Sequence, residues 1–209
     1  MALDVLSPGA TMAAVIASTM KATADERTVM HGVSWEAFEA IVRERGDVSR
    51  PRVTYLEGTL ELMSPSRDHE SIRKRFSAVV EEYLDQLGIV WDGAGAWLLK
   101  NAPEQAGLEP DECYLLHDPD KDRPDLALEV VWTSGGIDKL EVYRRLGVRE
   151  VWFWIDDEIT VHVLTDAGYE LRTTSACLPG FEFSLVEEML TLPTLGDVRK
   201  ALRARFATR

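Results

Sequence analysis

Glu129 stands inside LALEVVW, residues 126–132, a run that is otherwise apolar. A carboxylate in such a place must be neutral, hydrogen-bonded, paired or bound to a cation, because burying an unpaired charge costs several kcal/mol or more. Asp125 lies four residues earlier on the same strand face. At roughly 3.3 Å per residue it is about 13 Å away, so both reach one ion only if the strand bends. Asp111, brought in by a neighbouring strand, is the better co-ligand. Two carboxylates, a backbone carbonyl and waters form a hard oxygen set suited to magnesium. Lys139 falls on the first turns of the following helix, and its long side chain could reach back to the Glu129 strand, position water and offset phosphate charge. The same residues also fit an ordinary buried Glu–Lys pair, and spacing leaves both readings open.

Positioning these groups falls to the elements around them. Ser34 caps a short helix in SWEAFEAIV, with Trp35, Phe38, Ile41 and Val42 as its apolar stripe and Gly46 at its end. RVTYLEGTLELMSPS, residues 52–66, predicts a hairpin turning at Glu57-Gly58. From Asp68 to Leu87 the apolar residues Ile72, Phe76, Val79, Val80, Tyr83, Leu84 and Leu87 recur at helical spacing, and Gly88 closes the helix. Strand-like pieces follow at Ala96–Leu99 and Cys113–Leu116, joined by the loop NAPEQAGLEP. LALEVVW predicts a central strand covered on both faces. A helix over Ile137–Leu146 then leads to the strand VREVWFWID, the order of a right-handed crossover. TVHVLTD and YELRTTS continue as antiparallel strands, and SLVEEMLTL and VRKALRARF supply C-terminal helices. The fold class is α/β, a mixed central sheet flanked by helices. Residues 1–30 are expected to be a flexible or weakly helical leader, and residues 31–209 a single domain.

Of 209 residues, 45% are hydrophobic, enough for a domain-sized core. Lys plus Arg number 23 against 36 Asp plus Glu, a formal charge of -13, which argues against a protein that coats polyanions generically. It leaves room for an enzyme that meets DNA through a local basic patch or neutralises an acidic pocket with metal. Cys113 and Cys177 alone give neither a disulfide framework nor a thiolate metal motif. The apolar stretch Met12–Met20 is interrupted by Ser18 and Thr19 and is too short to cross a membrane. A cytoplasmic protein without a membrane partner is the expectation.

MSPSRDHESI at 63–72, EPDECYLL at 109–116 and PDLALEVVWTSGGIDKLEVYRRLGVREVWFW at 124–154, in that order, resemble the Uma-two family of restriction endonuclease-like proteins within the PD-(D/E)XK nuclease superfamily. The likeness runs from about Ser34 to Leu190. It implies a nuclease core in which Asp111 is the motif aspartate and Glu129 the acid of the E-x-K element. Val131 stands where the superfamily has its lysine, and Lys139 resembles a lysine migrated onto the following helix. Glu70 resembles the additional acid of motif one, with His69 beside it. At about 100° per residue, however, His69 falls within the apolar stripe and Glu70 about 120° from its centre, so Glu70 would need a bent first turn to enter the site. Ser66 or Asp68 could instead cap that helix, with His69 a satisfied histidine at the core edge. Asp138 and Tyr143 resemble recurrent residues around the lysine helix; a first-turn acid and a packing tyrosine are their plain alternatives. Asp125 either starts its strand or supports the site from behind.

The resemblance implies metal-dependent hydrolysis of DNA, most simply double-stranded, with Asp111, Glu129 and the Val130 carbonyl holding magnesium or manganese and Lys139 aligning the attacking water. Arg73, Lys74, Arg75, Arg144, Arg145, Arg199, Lys200, Arg203 and Arg205 are candidate phosphate contacts, although a solvated helix face explains them at least as well. A homodimer would give two sites for two strands. One rival is a catalytically idle nucleic-acid-binding or assembly protein that keeps the fold and a residual acidic pocket; a second is a different metal-dependent hydrolase or nickase acting on a restricted nucleic-acid substrate.

Overall fold

The computed structural model describes residues 24–131 and 136–207. The Met12–Met20 stretch and residues 132–135 lie outside them. The expected hairpin forms from β2 (Arg52–Leu56) and β3 (Thr59–Ser64). Its two turn residues, Glu57 and Gly58, both have positive φ, 43° and 86°, the type I′ requirement that glycine meets without steric cost. Sheet order in the first layer is β1-β3-β2-β6-β5, every pairing antiparallel, with β1 (Glu26–His31), β5 (Leu99–Asn101) and β6 (Ala106–Leu108) completing it. Helix α1 (Trp35–Arg45), capped by the Ser34 hydroxyl, packs Trp35 and Phe38 against Val53, Tyr55 and Leu60 of this sheet. Phe38 and Tyr55 stack with ring centroids 4.7 Å apart.

The second sheet is mixed, in the order β11-β10-β9-β8-β7-β4. Its strands are β4 (Trp91–Gly93), β7 (Glu112–Leu116), β8 (Leu126–Val131), β9 (Glu150–Ile155), β10 (Glu158–Thr165) and β11 (Gly168–Arg172). Among the described residues only β8 and β9 pair in parallel, and α3 (Lys139–Leu146) lies between them in sequence, as a crossover requires. Helix α2 (Arg67–Leu87) packs with α4 (Phe183–Leu190) and α5 (Leu195–Phe206) on one face, where Phe76, Val80, Leu84, Leu185 and Val198 meet Leu128, Val130 and Trp152. On the other face Val142, Tyr143 and Leu146 of α3 meet Ala127, Val151 and Phe153, together with Leu99, Ala106 and Leu108 of the first sheet. Because alternate strand residues point to opposite faces, Glu129 projects with Ala127 and Val131 toward α3.

Three local expectations change. Glu26–Met30 fall in the segment expected as a leader, yet with His31 they form β1, paired along its length with β3; the strand's lack of apolar alternation conceals it, since an edge strand is held by backbone pairing rather than two-sided burial. The expected strand Ala96–Leu99 is displaced to Leu99–Asn101. NAPEQAGLEP is not wholly loop, for it contains β6 between β2 and β5. A glycine in a strand weakens the pattern but admits close approach, and a Cβ at Gly107 would lie 3.0 Å from the Phe38 ring. Gly107→Ala is therefore expected to cost about 1–3 kcal/mol by overpacking, measurable as a lower urea midpoint with unchanged slope. Among the described residues no helix is long and apolar enough to cross a membrane.

Candidate active site

The end of β8 and the start of β7 carry the site. Glu112 pairs with Leu128 across the antiparallel ladder, so Asp111 and Glu129 each lie one residue beyond that pair and arrive side by side. Both are buried, 1% and 0% exposed. Asp111 Oδ2 accepts a hydrogen bond from the Val130 amide at 2.6 Å and lies 3.0 Å from His69 Nε2. Glu129 Oε2 accepts from Lys139 Nζ at 2.6 Å, and its Oε1 accepts from the Tyr143 hydroxyl. Lys139 and Tyr143 are one helical turn apart on α3 and therefore face β8 together. Burial first, then the Glu129 charge, pushes the Tyr143 pKa well above its ordinary value, so the hydroxyl keeps its proton and donates. Lys139 also lines a cleft of about 620 Å³ with Ile137, Leu140, Phe153 and Glu61, so its ammonium stands between the buried acids and an open space.

The first turn of α2 supplies His69, and its cap explains the placement. Ser66 Oγ accepts from the His69 amide, directing the imidazole inward, where it is fully buried between two acids: Nδ1 is 2.9 Å from Asp25 Oδ2 while Nε2 faces Asp111. Burial raises the Asp25 carboxyl, but hydrogen bonds from His69 and the Ser66 amide outweigh it and leave the pKa below the ordinary value. Glu70 needs no bend in the helix, because Arg52 on β2 comes to it: Arg52 Nη2 donates to Glu70 Oε1 at 2.8 Å while Arg52 Nη1 contacts Asp111 Oδ1. Arg73 holds the other Glu70 oxygen at 2.9 Å, and Arg50 approaches Oε1 at 3.4 Å. Burial would raise the Glu70 pKa; the guanidinium groups of Arg73, Arg52 and Arg50 pull it down instead. Burial presses the Arg52 pKa downward, with Glu70 and Glu129 as the principal opposing charges.

Asp111, Glu129, Lys139, Tyr143 and His69 are thus brought together, with Glu70 joined through Arg52. Asp138 and Asp125 are placed elsewhere. Asp138 caps α3, accepting from the Leu140 and Glu141 amides. Asp125 accepts from the Leu116 amide and pairs with Lys121 at 2.7 Å, tying down the loop that enters β8. Several candidate phosphate contacts are occupied by protein groups: Arg73 by Glu70 and Glu112, Arg75 by the carbonyls of Leu190 and Leu192, Arg144 by Glu141, and Arg145 by Glu57 and Glu141. Arg52 and Asp25 are unanticipated members of the site. Arg52 opens the alternating strand RVTYL, whose pattern reads it as outward-facing although the strand is buried on both faces; Asp25 sits just before β1 and gives no periodic signal.

The donor set fits a hard divalent cation. Asp111 and Glu129 bring two buried carboxylates side by side, Asp111 Oδ1 against Arg52, and each Glu129 oxygen has one protein donor and a second lone pair free to coordinate. Among the described residues no three His, Cys, Asp or Glu side chains gather as a cage; two carboxylates with water and substrate oxygens is the usual magnesium arrangement.

Residues 35–195 match the model of the Uma2 family, described as "Putative restriction endonuclease". Among solved structures the chain is similar to a crystal structure, at 1.96 Å, of a "putative nuclease belonging to DUF820" from Anabaena variabilis ATCC 29413, at 14% identity and a TM-score of 0.46, covering 73% of this chain and 92% of that one. No curated protein matches.

Proposed function

This chain belongs to the Uma2 family of restriction endonuclease-like proteins, and from that premise we propose that it is a divalent-metal-dependent endonuclease hydrolysing phosphodiester bonds of double-stranded DNA. The observation that carries the proposal is the convergence of Lys139 and Tyr143 on Glu129 beside Asp111. Asp111, Glu129 and the Val130 carbonyl would hold magnesium or manganese. When bound, the ion polarises the phosphate and lowers the pKa of water. Tyr143 fixes one oxygen of Glu129, leaving the other shared with Lys139. The ammonium, at the rim of the cleft, can hold the attacking water and offset phosphate charge without moving away from the acid. The Val130 amide fixes the Asp111 carboxylate, and Asp25 holds the His69 ring against it, the kind of support that keeps a ligand in one orientation.

A homodimer would align two such sites with the two strands, and two buried free cysteines suit a reducing cytoplasm. The catalytically idle alternative is favoured by one observation, the position of Arg52 against Asp111. Supercoiled plasmid and short duplex DNA incubated with purified protein in magnesium, manganese or EDTA decide between them. Nicked and linear products in either metal and none in EDTA are expected. Folded protein with no turnover in any metal overturns the endonuclease reading.

A further inference from the structure

Two buried arginines in this molecule meet carboxylates in different ways, one holding a single acid and the other shared between two. Arg45 meets Glu109 as an aligned fork, with Nη1 2.7 Å from Oε2 and Nη2 donating to Oε1. Such a pair is bidentate and specific. Arg52 divides its guanidinium between two acids: Nη2 donates to Glu70 and Nη1 meets Asp111 Oδ1. The other Asp111 oxygen accepts from the Val130 amide, with His69 Nε2 3.0 Å away. Arg52 thus places a positive charge on the Asp111 oxygen that a divalent ion would use, and the guanidinium and the ion cannot both hold that atom. Glu70, anchored by Arg73 and approached by Arg50, offers Arg52 an acceptor that remains when Asp111 is lost.

We propose that Arg52 is a resident cation competing with the divalent ion for Asp111, so that loading the ion requires the guanidinium to leave Asp111 while keeping Glu70. The inference rests on the metal-dependent reading above and adds a positioning residue to it. Without the ion, Arg52 prevents Asp111 and Glu129 from repelling each other in a buried space. With it, the guanidinium is released beside the site, still tethered to Glu70 and able to face a phosphate oxygen.

Competition has a signature in binding, independent of cleavage. Titration of the full chain with manganese chloride by isothermal calorimetry should give a tighter Kd for Arg52→Met, by roughly tenfold or more, within the span usual for coupled sites. Glu70→Gln, which removes the acceptor that retains Arg52, should weaken binding. Arg50→Met deletes the same charge nearby, where it is 54% exposed and touches Glu70 rather than Asp111; it should change little, which separates competition from general electrostatics. Circular dichroism establishes folding of each variant, and if Arg52→Met does not fold, the contrast between weakened binding in Glu70→Gln and unchanged binding in Arg50→Met carries the test. Binding that is equal or weaker in folded Arg52→Met, while still lost in Asp111→Ala, overturns the competition and leaves the metal site standing. Absence of binding in every chain overturns both.

Discussion

Lys139→Met should lose both cleavage and stability, whereas Glu129→Gln should lose cleavage alone. Each substitution removes a preorganised group from the reacting phosphate, and a loss of roughly 10²–10³-fold in plasmid cleavage is the expected scale for either. Their effects on folding differ because burial differs. Glu129 has no exposed surface and Lys139 has 15%. Without the lysine, Glu129 keeps only the Tyr143 hydroxyl among its side-chain donors, and a buried charge stripped of its counter-ion costs about 3–5 kcal/mol. Without the glutamate charge, Lys139 can turn its ammonium toward the cleft it already lines, and its methylenes stay packed. Glu129→Gln should therefore sit near wild type in urea denaturation and Lys139→Met well below it. The double variant should recover most of the lost stability while remaining inactive. Equal destabilisation by the two single changes would mean that Lys139 does not carry the charge balance of Glu129.

The acid in the apolar strand was legible because a charge inside a two-sided strand is a local contradiction, and the contradiction points to a partner. The helix bearing Lys139 was legible from periodicity and from the glycine at its end. What the chain does not display along its length is which face each charge meets. Val53 and Tyr55 alternate clearly, which places Arg52 on the opposite face and makes it look like a solvent-facing residue. That face is instead covered by the start of α2, so Arg52 is buried against Glu70 and Asp111. Glu70 illustrates the same limit: its angle on the helix is outside the apolar stripe, and it joins the site through an arginine from another sheet rather than by its own reach. β6 was hidden for a packing reason, since the glycine demanded by Phe38 replaces the side chain that would have marked a strand.

Glu109 carries the second large expectation, and it is independent of any catalytic role. It immediately precedes the Pro110-Asp111 pair, is 4% exposed, and accepts from Arg45 and from the Val53 amide at 3.1 Å. Arg45 also donates to the Pro51 carbonyl at 2.8 Å, so one buried knot joins the end of α1, the start of β2 and the approach to Asp111. Glu109→Ala leaves the Arg45 guanidinium and a strand amide without their acceptor, an expected cost of about 3–5 kcal/mol. The combined variant Arg45→Met with Glu109→Leu replaces the ion pair by apolar groups of similar size and should regain most of that, because a packed apolar pair often matches a buried salt bridge in stability. Chemical denaturation of the three variants measures the pattern. The knot is also the hinge between the fold and the site: Val53 follows Arg52, and Asp111 lies two residues beyond Glu109. In the destabilised single variant, manganese affinity measured at a temperature where it remains folded should fall as well, since both Asp111 and its competing arginine lose their fixed positions. Unchanged stability in Glu109→Ala would show that β2 and the Asp111 segment are held by backbone pairing alone.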